Sequence, residues 1–134
     1  MTADHIVMQS YGRCCASPGF FDDFYARFLR SSAEVRDKFI NTDMPAQKTL
    51  LRQGILNLVL YARGMPDTKL KALARSHSRE KLDIAPHLYD LWIGALLDTI
   101  ALHDREHTPD TRTAWQQVLA QGVSVIQAGY QQPA

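Results

Sequence analysis

The chain has little of what marks several common protein classes, beginning with cysteine. Only two of its 134 residues are cysteine, and they are neighbours, Cys14 and Cys15. Adjacent cysteines rarely pair with each other, so the sequence predicts no disulfide framework and favours a reducing compartment, the cytoplasm. The alternative reading of the pair is a redox or metal site. Two small side chains packed on a helix account for it more simply.

Long apolar runs and a charge of one sign are also missing. No apolar segment reaches the roughly 18 residues that a membrane span needs. Gln9, Arg13 and the two cysteines interrupt any signal-peptide core in residues 1–20. The 15 Lys and Arg residues nearly balance the 14 Asp and Glu residues, giving a net charge of +1. The sequence therefore predicts no membrane partner and no nucleic-acid partner.

The sequence also lacks period-2 alternation of apolar and polar residues, and this lack argues against β-strands. No window alternates apolar and polar residues between turn pairs, whereas apolar residues recur throughout at helical spacing. Hydrophobic residues make up 46% of the chain and charged residues 22%, the proportions of an ordinary soluble protein. We therefore expect one all-α domain over residues 1–134.

Capping and turn residues divide the chain into about seven helices. Ser17 is expected to cap the second helix, Ser31 to open a capping box with Glu34, and Thr42 or Asp43 to cap the fourth. Gly54 is expected to allow close approach of another helix. The predicted helices cover about 4–16, 18–29, 32–39, 44–62, 67–77, 86–103 and 109–130. The last two, being long, should pack as an antiparallel pair.

Three predicted helices each supply a side chain suited to a flat cofactor with iron at its centre. An iron porphyrin needs one strong axial ligand, and the neutral imidazole of His77 is suitable. The other ring nitrogen needs an acceptor that fixes the tautomer, which the Leu73 carbonyl or the Ser76 hydroxyl can provide. Leu70 and Leu73 share the His77 face and would pack against the porphyrin.

The opposite face of such a cofactor needs a small cavity with hydrogen-bond donors, because a bound diatomic ligand gains negative charge. Tyr25 carries a phenol on the aromatic face of the second helix. Gln47 lies in the first turn of the fourth helix, with Leu51 one turn later as a steric lid. Phe39 would stack on the porphyrin edge.

In this order and at these spacings, the motifs resemble bacterial single-domain globins, the group that includes the haemoglobin domain of flavohaemoglobins. Residues 24–28 (FYARF) and 34–39 (EVRDKF) match that family's second and third helices. Residues 73–77 (LARSH) match its proximal helix, and Trp115 matches the tryptophan of its last helix. The resemblance covers about residues 5–130. It implies a globin fold, a three-over-three helical sandwich with a short connection between the third helix and the long distal helix.

The resemblance also implies haem b as cofactor and assigns residues to it. Phe39 falls on the haem-stacking phenylalanine, Gln47 on the distal position and Leu51 on the next inward position. The predicted cofactor-binding residues are Tyr25, Phe39, Gln47, Lys48, Leu51, Leu73, Ser76, His77, Lys81, Ile84, Tyr89 and Trp92. Within this set Lys48 and Lys81 are candidate partners for the haem propionates, and His77 is the axial iron ligand.

One departure bears on the chemistry. In flavohaemoglobins a tyrosine and a glutamate polarise the proximal histidine. Tyr89 can supply the tyrosine here, but Tyr130 stands where the glutamate is expected. This difference argues against strong redox catalysis and makes an enzyme the less favoured interpretation.

Three functions remain open, since one fold can serve all of them. The first is reversible binding of dioxygen, nitric oxide or carbon monoxide. The second is nitric oxide dioxygenation, which needs a separate reductase as partner. The third is a gas sensor whose helix shift a partner reads. A zinc site at His103 and His107 is a weaker possibility, because the intervening Asp104, Arg105 and Glu106 look like a solvated turn.

Overall fold

The computed structural model describes residues 2–131, and within this range the chain forms seven α-helices and no strands. Met1 and residues 132–134, which the predicted domain range includes, lie outside the described residues. The helices are α1 (Ala3–Ala16), α2 (Phe20–Ser31), α3 (Ala33–Lys38), α4 (Met44–Ala62), α5 (Thr68–Ser76), α6 (His87–His103) and α7 (Pro109–Ala128). The all-helical prediction is therefore confirmed.

The helices form a three-over-three sandwich. One layer contains α1, α4 and α5, and the other contains α2, α6 and α7. The longest helix, α7, crosses the opposite layer and contacts α1, α4 and α5. The two C-terminal helices do contact each other, but α7 contacts α1 more extensively, and the main partner of α6 is α2. The expected C-terminal pair is thus only one part of the packing.

Local sequence explains where α4 begins and ends. The Asp43 side chain accepts a hydrogen bond from the Ala46 amide, so Asp43 and not Thr42 is the cap. After α4, Gly64 adopts φ +101°, a conformation that favours glycine. The amides of Gly64 and Met65 then bond to the carbonyls of Tyr61 and Leu60, which closes the helix with a Schellman motif.

Two of the predicted caps are wrong. The residue before α2 is Gly19, with φ +78°. Ser17 lies two positions further back, and its hydroxyl contacts Nδ1 of His103 at 2.7 Å. The cap of α3 is Ser32, which accepts from the Val35 amide, whereas the Ser31 hydroxyl donates to the Phe28 carbonyl. Each error is a small shift, because neighbouring polar residues compete for one capping position.

The close approach expected at Gly54 occurs instead at Gly122. A Cβ atom added to Gly54 would meet nothing within 4 Å, whereas one added to Gly122 would lie 2.3 Å from a Leu58 methyl carbon. Gly122 therefore lets α7 pack closely against α4. Gly54 borders the cavity described next.

Candidate functional site

A cavity of about 690 Å³ lies between α4 and α5 and reaches inward to α6 and α7. Apolar side chains supply most of its surface, including Phe28 from α2 and Val123 and Ile126 from α7. The volume is within the range of about 300–1,000 Å³ that is usual for small-molecule sites. A cavity of this size with an apolar lining suits a flat, largely apolar ligand.

Most of the residues that the sequence singled out meet at this cavity. Its lining includes ten of them: Tyr25, Phe39, Gln47, Leu51, Leu73, Ser76, His77, Ile84, Tyr89 and Trp92. They come from α2, α4, α5, α6 and the loops after α3 and α5. Helical spacing placed most of them on inward faces, which is why the sequence could bring them together.

The two predicted lysines do not line the cavity. Lys48 forms an ion pair with Asp22 instead. Lys81 is exposed in the loop after α5. The lysines in the cavity lining are Lys38 and Lys69, which the sequence pattern does not single out. Lys38 directly precedes Phe39, the predicted haem-stacking residue, so its position in the sequence could have indicated a place near the cavity.

The α5 wall presents the imidazole of His77. Nδ1 of His77 lies 2.8 Å from the Tyr89 hydroxyl. The Leu73 carbonyl and the Ser76 hydroxyl, the two expected partners of the imidazole, bond to other groups. The Leu73 carbonyl accepts from the His77 backbone amide at 3.0 Å and from the Ser76 hydroxyl at 2.8 Å. The expectation that Leu73 or Ser76 fixes the imidazole is therefore corrected, and Tyr89 takes that position.

Burial determines the charge state of this pair. Desolvation lowers the pKa of His77 below its usual 6.5, so the imidazole is neutral at pH 7. Burial also raises the pKa of Tyr89, so its phenol is protonated. A neutral imidazole is the form that binds a metal ion.

The α2 and α4 walls carry polar groups of a different kind. The Tyr25 hydroxyl is directed at the backbone carbonyl of Gln47, at a long 3.5 Å. Burial raises the pKa of Tyr25 to about 12, so its hydroxyl hydrogen is retained at neutral pH. The Gln47 side chain also lies close enough to Tyr25 for a hydrogen bond, which partly offsets the effect of burial on the Tyr25 pKa. Both groups can therefore donate to a ligand in the cavity.

Aromatic rings hold Tyr25 and Phe39 in place. Tyr25 meets Phe39 edge to face at 5.8 Å, and Phe28 meets Phe39 at 5.9 Å. Phe24 packs between Tyr25 and Trp92. Such pairs restrict ring orientation, so Phe39 presents a fixed face beside the cavity.

These observations fit a haem group. The cavity is apolar and holds a neutral imidazole on one wall and two uncharged donors on the others, and two lysines stand at its lining for carboxylates. Along the described residues no group of three or more His, Cys, Asp or Glu side chains could hold a metal ion by itself. A porphyrin supplies four nitrogen ligands of its own, so one histidine is enough.

Known proteins agree with this fit. The globin family profile matches residues 22–126. Among solved structures, the chain is similar to a protein from Pseudomonas aeruginosa PAO1 that is described as structurally highly homologous to a human haemoglobin. The two are 61% identical, with a TM-score of 0.96, over 97% of this chain and 99% of that one. No curated protein matches the chain.

No helix within residues 2–131 is long and apolar enough to cross a membrane.

The profile match covers more than half of the chain, and the fold and the cavity agree with it. The chain therefore belongs to the globin family, whose members bind haem.

Proposed function

We propose that this globin reversibly binds dioxygen and other diatomic gases at haem b, with His77 as the axial iron ligand. The observation that carries the proposal is the pairing of His77 with Tyr89 on one wall of an apolar cavity whose other walls present Tyr25 and Gln47. When bound, haem b would supply an iron atom that His77 would hold and that could bind a diatomic gas.

His77 and Tyr89 form the proximal half of the site. If Nε2 of His77 held the iron, Nδ1 would carry the hydrogen and would donate it to the Tyr89 hydroxyl, which lies 2.8 Å away. This contact fixes both the tautomer and the ring orientation. Burial keeps the imidazole neutral, so protonation does not compete with the metal at pH 7.

Tyr25 and Gln47 form the distal half. The Tyr25 hydroxyl has one hydrogen, and its bond to the Gln47 carbonyl is long enough to be weak. A gas ligand that gains negative charge is a better acceptor, so Tyr25 can redirect its hydrogen at little cost. The Gln47 amide supplies a second donor, and Leu51 limits the space beside it.

Lys38 and Lys69 are the cations that we assign to the propionates. Both line the cavity, whereas Lys48 is held by Asp22. The free cysteines Cys14 and Cys15 support a cytoplasmic location, because they need no oxidising compartment.

Replacing Tyr25 with Phe tests the distal assignment. The ring and its packing remain, and only the hydroxyl is lost. We expect dioxygen to dissociate at least about tenfold faster, as the loss of about 1.4 kcal/mol of hydrogen-bond energy predicts. The measurement is stopped-flow displacement of dioxygen by carbon monoxide from the ferrous protein.

Tyr61→Phe is the matched control, since Tyr61 lies on α4 outside the cavity lining. Its dissociation rate should equal that of the wild type. His77→Ala should lose haem on gel filtration, which would show that haem occupies the cavity beside His77. An unchanged rate in Tyr25→Phe would remove Tyr25 from the distal role, and a normal haem spectrum in His77→Ala would overturn the proximal assignment.

Nitric oxide dioxygenation with a separate reductase is the second candidate. The contact between His77 and Tyr89 favours it, because an acceptor at Nδ1 increases electron donation by the imidazole. No carboxylate joins this pair among the described residues that line the cavity. We therefore place gas binding first.

A further inference from the structure

The surface around His77 carries much of the positive charge of the molecule. Seven of the 15 Lys and Arg residues lie in segments 36–38 and 67–83, against four of the 14 Asp and Glu residues. These two segments, which we call the basic surface, therefore carry +3, although the whole chain carries only +1. The remainder of the molecule is consequently net negative.

The two segments meet at the mouth of the cavity. The Lys38 ammonium donates to the Leu82 carbonyl at 3.3 Å, which joins the end of α3 to the loop after α5. Lys38 and Leu82 both line the cavity, and so do Lys69 and Ser76. The basic surface is thus continuous with the opening through which the cofactor edge is reached.

Lys38 and Lys69 are assigned to the propionates, which would neutralise them, so a partner would meet only the charge that lies outside the cavity. Arg75 and Arg79 are exposed and do not line it. Arg75 lies in the last turn of α5, and Arg79 follows His77 by two residues. Lys71 and Asp67 pair at 3.4 Å, so their charges largely cancel. Arg75 and Arg79 therefore have no assigned role in holding the cofactor.

Apolar side chains are exposed at the same opening. Leu50 and Leu82 line the cavity beside this opening. Ile40, two residues after Lys38, is 77% exposed. A small apolar centre with a charged rim is the usual composition of a transient protein interface.

We propose that the basic surface docks an acidic one-electron carrier protein over the proximal side of the cavity. The inference rests on the proposed haem function and names the partner class for it. Docking on α5 places the partner about one helix diameter, roughly 10 Å, from the cavity. One electron leaves the reduced carrier, which is oxidised, and converts ferric iron to the ferrous state that binds dioxygen.

Opposite charges would make this encounter fast and dependent on salt. Complementary charge steers association well above the neutral rate at low ionic strength, and salt removes the advantage. A partner without negative charge would gain nothing from Arg75 or Arg79.

The test uses the haem-loaded full chain and reduced flavodoxin, an acidic one-electron carrier, as the probe. Stopped-flow absorbance gives the second-order rate of reduction of the ferric protein at several ionic strengths. The variant is Arg75→Gln with Arg79→Glu. Its matched control, with the same change in charge on a remote surface, is Arg105→Glu with Arg112→Gln. We expect at least about tenfold slower reduction in the variant at low salt, convergence with the wild type near 1 M salt, and little change in the control.

Binding is also read directly. In the carbon monoxide form, oxidised flavodoxin should shift the ¹⁵N–¹H resonances of residues 36–38 and 67–83 selectively. Equal reduction rates in variant and control, or shifts spread over the whole surface, would overturn the proposal. So would sedimentation of the protein with anionic lipid vesicles but no shift with flavodoxin, because a membrane would then be the partner. If the chain retains no haem at all, it is the proposed function that fails instead.

Discussion

The contact between His77 and Tyr89 is the single-residue feature with the clearest chemical consequence. Replacing Tyr89 with Phe removes the acceptor for Nδ1 and leaves that nitrogen buried without a partner. Loss of the hydrogen-bond partner of a metal-binding histidine typically lowers metal affinity by about 10–100-fold. We expect Tyr89→Phe to release haem at least about tenfold faster, measured by transfer to an excess of apomyoglobin.

The same variant should lower the iron–histidine stretching frequency in resonance Raman spectra of the ferrous protein, because the imidazole donates less electron density. Tyr61→Phe again serves as the control, since that tyrosine does not line the cavity. If the stretching frequency of Tyr89→Phe equals that of the wild type, the hydroxyl does not act on the imidazole. A merely structural role for Tyr89 would then explain any faster release.

Residues on apolar helical faces were predictable from the sequence, and long charged side chains were not. Tyr25 and Leu51 follow from spacing, because the helical repeat fixes the direction of their Cα–Cβ bonds. Lys48 also lies on α4, but its flexible chain reaches Asp22. Only the resemblance to flavohaemoglobins points to a role for the Tyr89 hydroxyl, because its contact with His77 depends on tertiary packing that local spacing does not encode.

At the scale of the element, the two serines between α2 and α3 give a direct test of capping. Ser32 accepts from the Val35 amide at 3.0 Å, whereas Ser31 only donates to the Phe28 carbonyl. We expect Ser32→Ala to lower the free energy of unfolding by about 1 kcal/mol. Ser31→Ala should cost less, because Ser31 is exposed and water can replace its hydroxyl at the Phe28 carbonyl in the last turn of α2.

Urea denaturation of the carbon monoxide form, followed by circular dichroism, measures both variants under the same conditions. Ser32→Thr is the conservative control, since threonine can accept the same hydrogen bond. A larger loss in Ser31→Ala than in Ser32→Ala would contradict the observed cap and favour the capping box with Glu34 that the sequence predicts.

Helix existence was easier to derive from the sequence than helix ends or loop structure. The loop after α5 was predicted only as irregular, yet the structure fixes it tightly. Asp83 has φ +55°, and its carboxylate accepts from the Tyr130 hydroxyl at 2.5 Å. The Arg79 amide donates to the Tyr130 carbonyl. These contacts join residues about 50 positions apart, so no local pattern could reveal them.

For the whole molecule, a buried polar network ties the sandwich together at the end formed by the α1–α2 and α6–α7 corners. The sequence predicts a solvated turn formed by Asp104, Arg105 and Glu106. Arg105 and Glu106 are exposed as predicted, whereas Asp104 is only 3% exposed. Its carboxylate accepts from Ser10 at 2.6 Å and from two nitrogens of Arg13. The Trp115 indole donates to the Ser10 hydroxyl at 2.9 Å. Arg13, ninety-one residues away in sequence, makes the burial of this carboxylate tolerable.

Asp104 therefore links the stability of the whole fold to pH. Burial alone would raise its pKa, but hydrogen bonds from Arg13, Ser10 and the Glu106 amide, together with the Arg13 charge, outweigh it and hold the pKa below the usual 3.8. A depressed folded-state pKa contributes stability that is present above the unfolded-state pKa and is lost as pH falls through the folded-state pKa. The contribution should thus be constant from neutral pH down to about pH 5 and decline below about pH 4.

Replacing Asp104 with Asn measures that contribution. The amide keeps the shape but loses the charge that pairs with Arg13, which is only partly exposed. We expect a loss of about 2–3 kcal/mol in the free energy of unfolding at pH 7, since the broken bonds involve charged groups. The loss should shrink as pH falls below about 4, because the wild-type carboxyl then also becomes neutral.

Asp98→Asn, at an exposed carboxylate on α6, is the control and should change little at any pH. Urea unfolding of the apoprotein from pH 7 to pH 3.5 separates this effect from haem loss. A difference between Asp104→Asn and wild type that stays the same across that range would mean that the network stabilises the fold by shape and not by charge.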